Sequence, residues 1–254
     1  DFNAAKKIFL YEISEKLINI QKKNINDKNI RWIKNFDKIK DGPIVFFGNE
    51  FFDAIPIKQY KRSKNTLYER FYFINKKFEI KETFKKVLKK ELAFLNSFKI
   101  LKNQKFIEYS PLCFSYLKKI SKHIKNENGG LLIIDYGYLE NQMRNTLKAI
   151  KKHKKINIFS KFSETDITYN INFNLIKQII NKFKLKSQGI TTQRNFLIKL
   201  GIKERAEIIC KNLSFSRKTD VYYRLKRLID KKEMGDLFKV MLITNKKINF
   251  RIGF

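Results

Sequence analysis

The segment Asn49-Glu50-Phe51-Phe52-Asp53-Ala54-Ile55-Pro56 sets a carboxamide and two carboxylates among aromatic side chains, directly after an apolar run at 44–47. That run reads as a buried strand, with Asp41-Gly42-Pro43 as the turn in front of it. In an open α/β sheet, ligands sit at the carboxyl ends of the strands. Acids placed there either cap a chain end or are kept for chemistry. Glu50 and Asp53, three residues apart, share one face if the chain turns helical after Asn49. From that face they could bind a metal, cap a helix, or grip a cationic group such as guanidinium in a bidentate fork. A metal would want further oxygen ligands nearby, which this stretch lacks, so no metal site is expected.

Two other strand ends carry acids. Ile8-Phe9-Leu10-Tyr11 ends in Glu12, and Leu131-Leu132-Ile133-Ile134 closes with Asp135-Tyr136-Gly137. An acid in the position of Glu12 can accept hydrogen bonds from both hydroxyls of a ribose, or it can cap the helix that follows. Asp135 caps its strand or lines a wall of the site. Trp32 could stack on an adenine or belong to the core. The residues alone leave each of these pairs open.

The elements that must position these groups alternate. Ser14 is a helix N-cap with Glu15 in the first turn, and Leu17, Ile18 and Ile20 start a helix that runs to about Asn24. A short strand follows at 29–33, then the strand before Asn49. Strand, helix, strand, strand at this spacing predicts a parallel sheet built by crossovers. Residues 58–110 break the pattern. Tyr60, Leu67, Tyr68, Phe71, Tyr72, Phe73 and Phe78 interleave with charges, as in hairpins, and a Lys-rich helix is predicted over 82–98. This block reads as an insertion over the sheet edge, dividing a core of 1–57 and 111–254 from an inserted unit of 58–110. After Ser110-Pro111 the stripe Phe114, Leu117, Ile120 and Ile124 predicts a helix ending at Gly129-Gly130. Beyond 151 three helices are expected, carried by Leu175 to Phe183, by Thr192 to Leu200 and by Tyr222 to Leu228. The chain closes in an antiparallel hairpin of 237–243 with 248–252.

Composition narrows the classes. The chain has 254 residues and 43% hydrophobic content, enough for a proper core and too much for wholesale disorder. No apolar run reaches membrane-spanning length, so a soluble protein with no membrane partner is expected. The net charge of +32 invites a nucleic-acid reading. The basic residues are spread along the whole chain, however, and Lys, Asn and Ile are used together as in an AT-rich coding bias. No dedicated nucleic-acid partner is expected. Cys113 and Cys210 are far apart with no metal or redox spacing, and His123 and His153 have no companion ligand, so both read as helix-surface residues. The chain begins Asp1-Phe2-Asn3 without an initiator Met or signal pattern, which predicts a processed chain or a fragment.

Six segments in order, "NEFFDAIP", "GGLLIIDYGY", "NTLKAIKKH", "SETDITYNINF", "TTQRNFLIKLGIKERA" and "MGDLFKVMLIT", resemble the MidA-like family of S-adenosylmethionine-dependent methyltransferases. That family includes the mitochondrial complex I assembly factor that acts as a protein arginine methyltransferase. The resemblance spans about Phe9 to Thr244. It implies a class I methyltransferase fold, a Rossmann-like α/β sheet ending in an antiparallel hairpin, and S-adenosyl-L-methionine as cofactor. It implies Glu12, Ser14, Trp32 and Asn49 at the cofactor, Glu50, Asp53 and Asn49 in catalysis, and Asp135 with Tyr136 against the substrate. The substrate is then a protein bearing an acceptor arginine. A homodimer is compatible with the sequence, and bacterial cytoplasm or mitochondrial matrix both fit. Two departures stand out. The family's first strand and its Gly-rich loop would precede residue 1, which predicts an unpaired buried edge costing roughly 1–3 kcal/mol for each unsatisfied backbone group. The family's His and Asp near "DITYNINF" are replaced by Tyr169-Asn170 and Asn172, with Asp166 and Thr168 kept as caps for the next helix. The alternative reading is a non-catalytic basic protein of the same fold that associates with RNA or ribosomes.

Overall fold

A computed structural model describes residues 6–39, 42–151, 154–160, 165–250 and 252–254. Strand β1 (Ile8–Tyr11) lies parallel to β2 (Ile30–Ile33), with Leu10 opposite Trp32. The crossover between them is α1 (Glu15–Asn24), whose first turn is capped by the Ser14 hydroxyl accepting from the Leu17 N–H. Strand β3 (Ile44–Asn49) runs parallel to the first half of a long strand β8 (Gly129–Tyr138), from Ile44 opposite Gly129 to Asn49 opposite Ile134. The crossover joining these two contains α3 (Pro111–Glu127), capped by Ser110 and started by Pro111. Its buried stripe of Cys113, Leu117, Ile120 and Ile124 follows the helical repeat and faces the sheet.

The long strand organises the rest. On its second half, β12 (Ile171–Asn172) takes the edge that β3 has vacated, pairing parallel with Gly137 and Tyr138. On its opposite edge lies β14 (Phe238–Asn245), antiparallel, and beyond that β13 (Leu185–Thr192), also antiparallel. Helix α4 (Phe173–Lys182) covers β13 and packs on α3. In the described residues β1 pairs with β2 and β3 with β8, so aromatic packing joins the two parallel pairs. Tyr11 of β1 lies 4.7 Å from Phe36, 5.7 Å from Tyr116 of α3 and 6.0 Å from Phe51, ring to ring. The Tyr11 and Tyr116 hydroxyls share a hydrogen bond of 3.0 Å.

Residues 58–109 include a four-stranded antiparallel sheet in the order β6-β5-β4-β7, from β4 (Lys58–Ser63), β5 (Thr66–Ile74), β6 (Ile80–Lys86) and β7 (Phe106–Tyr109). Helix α2 is confined to Lys89–Asn96. The helix expected from Glu82 is therefore a strand up to Lys86. Thr83 pairs with Phe71, Glu82 forms an ion pair with Arg70, and the Lys85 ammonium sits 5.0 Å over the Phe71 ring. These cross-strand partners outweigh the weak helical preference of a Lys-rich run.

The closing antiparallel pair is present, but its second strand is 185–192 and not 248–252. Both edges of β14 are already occupied, by β8 and β13, so no edge remains for 248–250. That stretch hangs on the Gln188 side chain instead, which donates to the Ile248 carbonyl (2.5 Å) and accepts from the Phe250 N–H (3.4 Å). Between Ser187 and Gly189 the ladder shifts register, which blurs the alternation a strand would show. Short helices follow: α5 (Gln193–Lys199), α6 (Ile202–Cys210), α7 (Phe215–Ile229) and α8 (Met234–Leu237). A three-stranded sheet of β9 (Lys148–Lys151), β10 (Lys154–Ile156) and β11 (Asp166–Thr168) completes the fold. No described helix is long and apolar enough to cross a membrane.

Gly129 is where helix α3 gives way to β8 alongside β3. Its φ is 116°, and a Cβ there would stand 1.9 Å from the Ile44 carbonyl oxygen. Gly129→Ala combines left-handed strain with a backbone collision, and it is expected to cost about 3 kcal/mol or more. Urea denaturation reads the change; an unaltered midpoint would contradict the parallel β3–β8 register.

Candidate active site

The chain leaves β3 at Asn49 and turns sharply. Glu50 holds a left-handed φ of 48°, and its N–H donates to the Ile134 carbonyl at 3.0 Å, extending the β3–β8 ladder by one residue. Phe51 then enters the aromatic cluster, 5.7 Å from Tyr116, and Phe52 is buried at 1% exposure. Beneath this turn lies the carboxylate of Asp135, inside β8 and without solvent exposure. Its Oδ2 accepts the N–H of Phe52 (2.9 Å) and of Asp53 (3.3 Å), and its Oδ1 accepts the N–H of Tyr136 (2.9 Å). Asp53 is buried too. Its Oδ2 accepts the Thr168 hydroxyl at 2.6 Å, and its backbone carbonyl accepts the Tyr169 N–H at 3.2 Å. The turn is thereby clamped from β8 on one side and from the β11–β12 link on the other.

The helical continuation expected after Asn49 does not form, and Glu50 and Asp53 do not share a face. A left-handed residue at Glu50 breaks the helix before it begins, so Glu50 stays exposed with Asn49 while Asp53 turns inward. Both nevertheless act on one phenol. The Tyr136 phenol is pushed up by burial first and then by the charges of Glu50, Asp53 and Asp135, with Arg227 opposing. Lys148 places its ammonium 5.0 Å over the Tyr136 ring and donates to Asn170 Oδ1 at 3.2 Å. Burial and Lys155 hold that ammonium below its usual range, against the pull of Asp53. Glu50, Asp53, Asp135, Tyr136, Lys148 and Asn170 thus form one neighbourhood where the end of β3 meets the second half of β8.

At the end of β1, Glu12 turns one carboxylate oxygen onto the N–H groups of Ile13 and Ser14, both at 2.8 Å. Its carboxylate is therefore fixed by its own chain. Glu12 follows Tyr11 and Glu50 precedes Phe51, and those two rings lie 6.0 Å apart, so both acids flank the same aromatic cluster. The Ser14 hydroxyl is engaged in capping α1. Trp32 packs on α1, where its indole N–H donates to Gln21 Oε1 at 2.8 Å and the Lys22 ammonium sits 5.7 Å from the ring.

Other contributors carry no pattern that a sequence reading would single out. Buried Glu108 accepts from Gln59 Nε2 (2.8 Å), from the N–H groups of Thr146 (3.0 Å) and Leu147 (3.2 Å), and from the Thr146 hydroxyl (2.5 Å). The Thr146 hydroxyl in turn accepts the Asn170 N–H at 2.9 Å. This chain of bonds sets the approach of Lys148 and Asn170 to Tyr136. The cap of the helix after "DITYNINF" is Asn172, whose Oδ1 accepts the Leu175 N–H at 3.0 Å. Asp166 and Thr168 do not cap it: Asp166 lies on β11, and the Thr168 hydroxyl is spent on Asp53. Among the described residues no group of His, Cys, Asp and Glu could hold a metal ion. Cys113 and Cys210 are buried, with the Cys113 thiol pushed up to about 12 by burial. His123 lies half-buried on α3, 6.1 Å from the Phe46 ring, and His153 lies outside the described residues.

Burial, and after it the charge of Asp53, push Asp135 up to about 8 against three backbone N–H bonds that favour its ionised form. A carboxyl group raised in the folded state favours folding below its unfolded value near 3.9 and loses that advantage as pH rises through 8. In Asp135→Asn one amide end must face an N–H donor, so the variant is less stable at acid pH. Its deficit relative to wild type is expected to shrink between pH 4 and 8, as read from urea midpoints across that range. A deficit independent of pH would contradict the raised carboxyl.

The family model described as "Putative S-adenosyl-L-methionine-dependent methyltransferase" matches residues 1–191. The chain is 29% identical over 181 residues to the Caenorhabditis elegans protein named "Protein arginine methyltransferase NDUFAF7 homolog, mitochondrial", covering 70% of this chain and 42% of that one. It is 23% identical over 216 residues to "Protein arginine methyltransferase NDUFAF7, mitochondrial" of Danio rerio, covering 85% and 51%. The chain spans about half the length of the curated relatives it matches. Among solved structures, a COG1565 superfamily member from Burkholderia thailandensis bound to S-adenosyl-homocysteine superimposes with a TM-score of 0.80 at 19% identity, over 98% of this chain and 66% of that one. A native structure of a COG1565 superfamily protein from the same organism gives 0.82 at 20% identity, over 97% and 68%. The fold is that of class I methyltransferases, and the chain belongs to the S-adenosyl-L-methionine-dependent methyltransferase family whose model it matches.

Proposed function

We propose that this chain carries the cleft of a protein arginine N-methyltransferase, with the cofactor on the Glu12 side and the acceptor on the Glu50 side. The observation that carries the reading is the convergence of acids at the ends of parallel strands around one aromatic cluster and one phenol. The donor set suits both ligands. Glu12, held by two backbone N–H groups, offers a fixed acceptor for the two hydroxyls of a ribose. S-adenosyl-L-methionine, when bound, supplies an electrophilic methyl carbon. The protein's task is then to hold an acceptor nitrogen about 3–3.5 Å away and in line.

Guanidinium stays protonated at working pH and its lone pairs are delocalised. The exposed carboxylate of Glu50 grips it, concentrates electron density on the attacking nitrogen, and takes the proton released on transfer. Asn49 orients the group through its side-chain amide. Asp53, fixed by Thr168, adds negative charge from below, and Tyr136 gives the acceptor a wall. Asp135 has no exposed surface, so its part in this reading is to position the turn. Trp32 and Ser14 act at one remove, by seating β1 and α1 behind Glu12. The names of the relatives support a protein as substrate and a mitochondrial setting.

In the full-length protein, Glu50→Gln is expected to lower kcat by roughly 10²–10³-fold with calorimetric affinity for S-adenosyl-L-methionine nearly intact. Glu12→Gln is expected to do the reverse, weakening the cofactor first. Unchanged turnover in Glu50→Gln would remove Glu50 from the chemistry. Transfer absent from the wild-type protein against every arginine-bearing substrate would favour the binding-protein reading.

A further inference from the structure

Helix α7 is amphipathic, yet none of its residues is buried. Phe215 is 87% exposed, Tyr223 68% and Tyr222 47%. Phe215, Lys218, Thr219, Tyr222, Tyr223 and Lys226 fall at i, i+3, i+4, i+7, i+8 and i+11, one continuous stripe, and they line an open groove of about 460 Å³. The adjoining helix α6 adds Ile208 and Ile209, also exposed. Such a stripe of rings with flanking cations is the make-up of a binding surface more than of a solvated helix face.

Its location ties it to the site. The far end of α7 is bound by Gln193 Nε2 donating to the Leu228 carbonyl (3.0 Å) and Arg194 Nη1 to the Ile229 carbonyl (2.7 Å). Helix α8 packs against both α7 and β8, and Arg227 acts on the Tyr136 phenol. The stripe is thereby tied, at its Lys226 end, to the helix that packs on β8. The groove's charge is opposite to that of the carboxylate cluster. Its lining holds two cations, Lys218 and Lys226, and no acid. Helical spacing puts Arg217, Arg224 and Asp220 on the other side of α7, where Asp220 pairs with Arg224 at 2.9 Å. A second copy of a chain carrying +32 is repelled from this face.

We infer that the aromatic, basic face of α7 docks the protein substrate and selects an arginine embedded in acidic, partly apolar sequence. The inference rests on the proposed arginine transfer and names its substrate class. The acceptor arginine faces the carboxylates of Glu50 and Asp53, its acidic flanks face the α7 cations, and apolar flank residues cover Phe215, Tyr222 and Tyr223. A basic flank would be repelled along the whole approach.

The test uses the full-length protein and two fluorescein-labelled peptides with a central arginine, one flanked by Glu and Leu, the other by Lys and Leu. Anisotropy reads binding and a methyl-transfer assay reads turnover. The acidic-flank peptide is expected to bind at least tenfold tighter. Phe215→Ser with Tyr223→Ser is expected to raise KM for it about tenfold, the loss lying in KM and not in kcat. Lys218→Glu with Lys226→Glu is expected to invert the preference between the peptides. Equal binding of the two peptides would overturn the inference. So would poly-uridine or anionic vesicles binding through the same residues more tightly than the peptide. A melting temperature lowered by the Ser substitutions with KM unchanged would show the stripe to be covered within the protein itself, which also overturns it. Selective binding without transfer leaves docking intact and counts against the proposed chemistry, whereas transfer without selectivity does the opposite.

Discussion

A carboxyl group with no solvent exposure lies beneath the turn that follows β3, and three backbone N–H groups point at it. Two of them belong to the turn and one to the strand that carries the acid. This junction ties the end of β3 to the middle of β8 at a point where the ladder itself has run out, since Asn49 opposite Ile134 is its last rung. Leaving the Phe52 and Asp53 N–H groups without an acceptor would cost roughly 1–3 kcal/mol each. That is comparable to the strain of holding a non-glycine residue such as Glu50 in the left-handed region. Two such bonds outweigh the strain at one residue, and the turn leaves the Glu50 carboxylate exposed at a strand end.

The same junction sorts the acids of the site by environment. Asp135 is raised by burial and by its neighbour Asp53, whereas Asp53 has the Thr168 hydroxyl on its oxygen. Glu50 alone stands in the open, within electrostatic reach of Tyr136. Groups of one chemical type in distinct surroundings can serve distinct purposes, and the surroundings here differ from no exposure at Asp135 to an exposed side chain at Glu50. Glu12 is likewise an acid just past a strand end, that of β1, fixed by its own backbone. The aromatic cluster of Tyr11, Phe36, Phe51 and Tyr116 packs the two strand ends together through T-shaped and tilted ring contacts.

Much of this was legible in the residues. The strands at 8–11, 30–33 and 44–49 are short apolar runs bounded by turn residues, and α3 announces itself through Ser110-Pro111 and its repeat of buried side chains. Acids after apolar runs drew notice to Glu12, Glu50 and Asp135, but only the first two follow a strand end. Asp135, expected to close its strand, lies inside β8, whose pairing runs on to Tyr138. Legibility failed wherever a partner distant in sequence decides. Residues 82–86 look helical until β5 is placed beside them, and 185–192 shows no regular alternation because its pairing with β14 is broken by a register shift. The inward turn of Asp53 depends on Thr168, 115 residues away, and Glu108 gains its partners from 146–147. Those contacts leave no local pattern.

The central claim is that the Asp135 carboxyl holds the turn carrying Glu50 and Asp53. Amide hydrogen exchange at Phe52 and Asp53 tests it most directly, compared between wild type and Asp135→Ala. The account predicts that both amides are as slow as the β8 ladder in wild type. In the variant they should exchange fast, by about 10-fold or more for a lost bond of some 1.4 kcal/mol, while the ladder amides from Leu131 to Ile134 stay protected. Unchanged protection of Phe52 and Asp53 in the variant would show that the turn stands without its anchor, and the account would be contradicted.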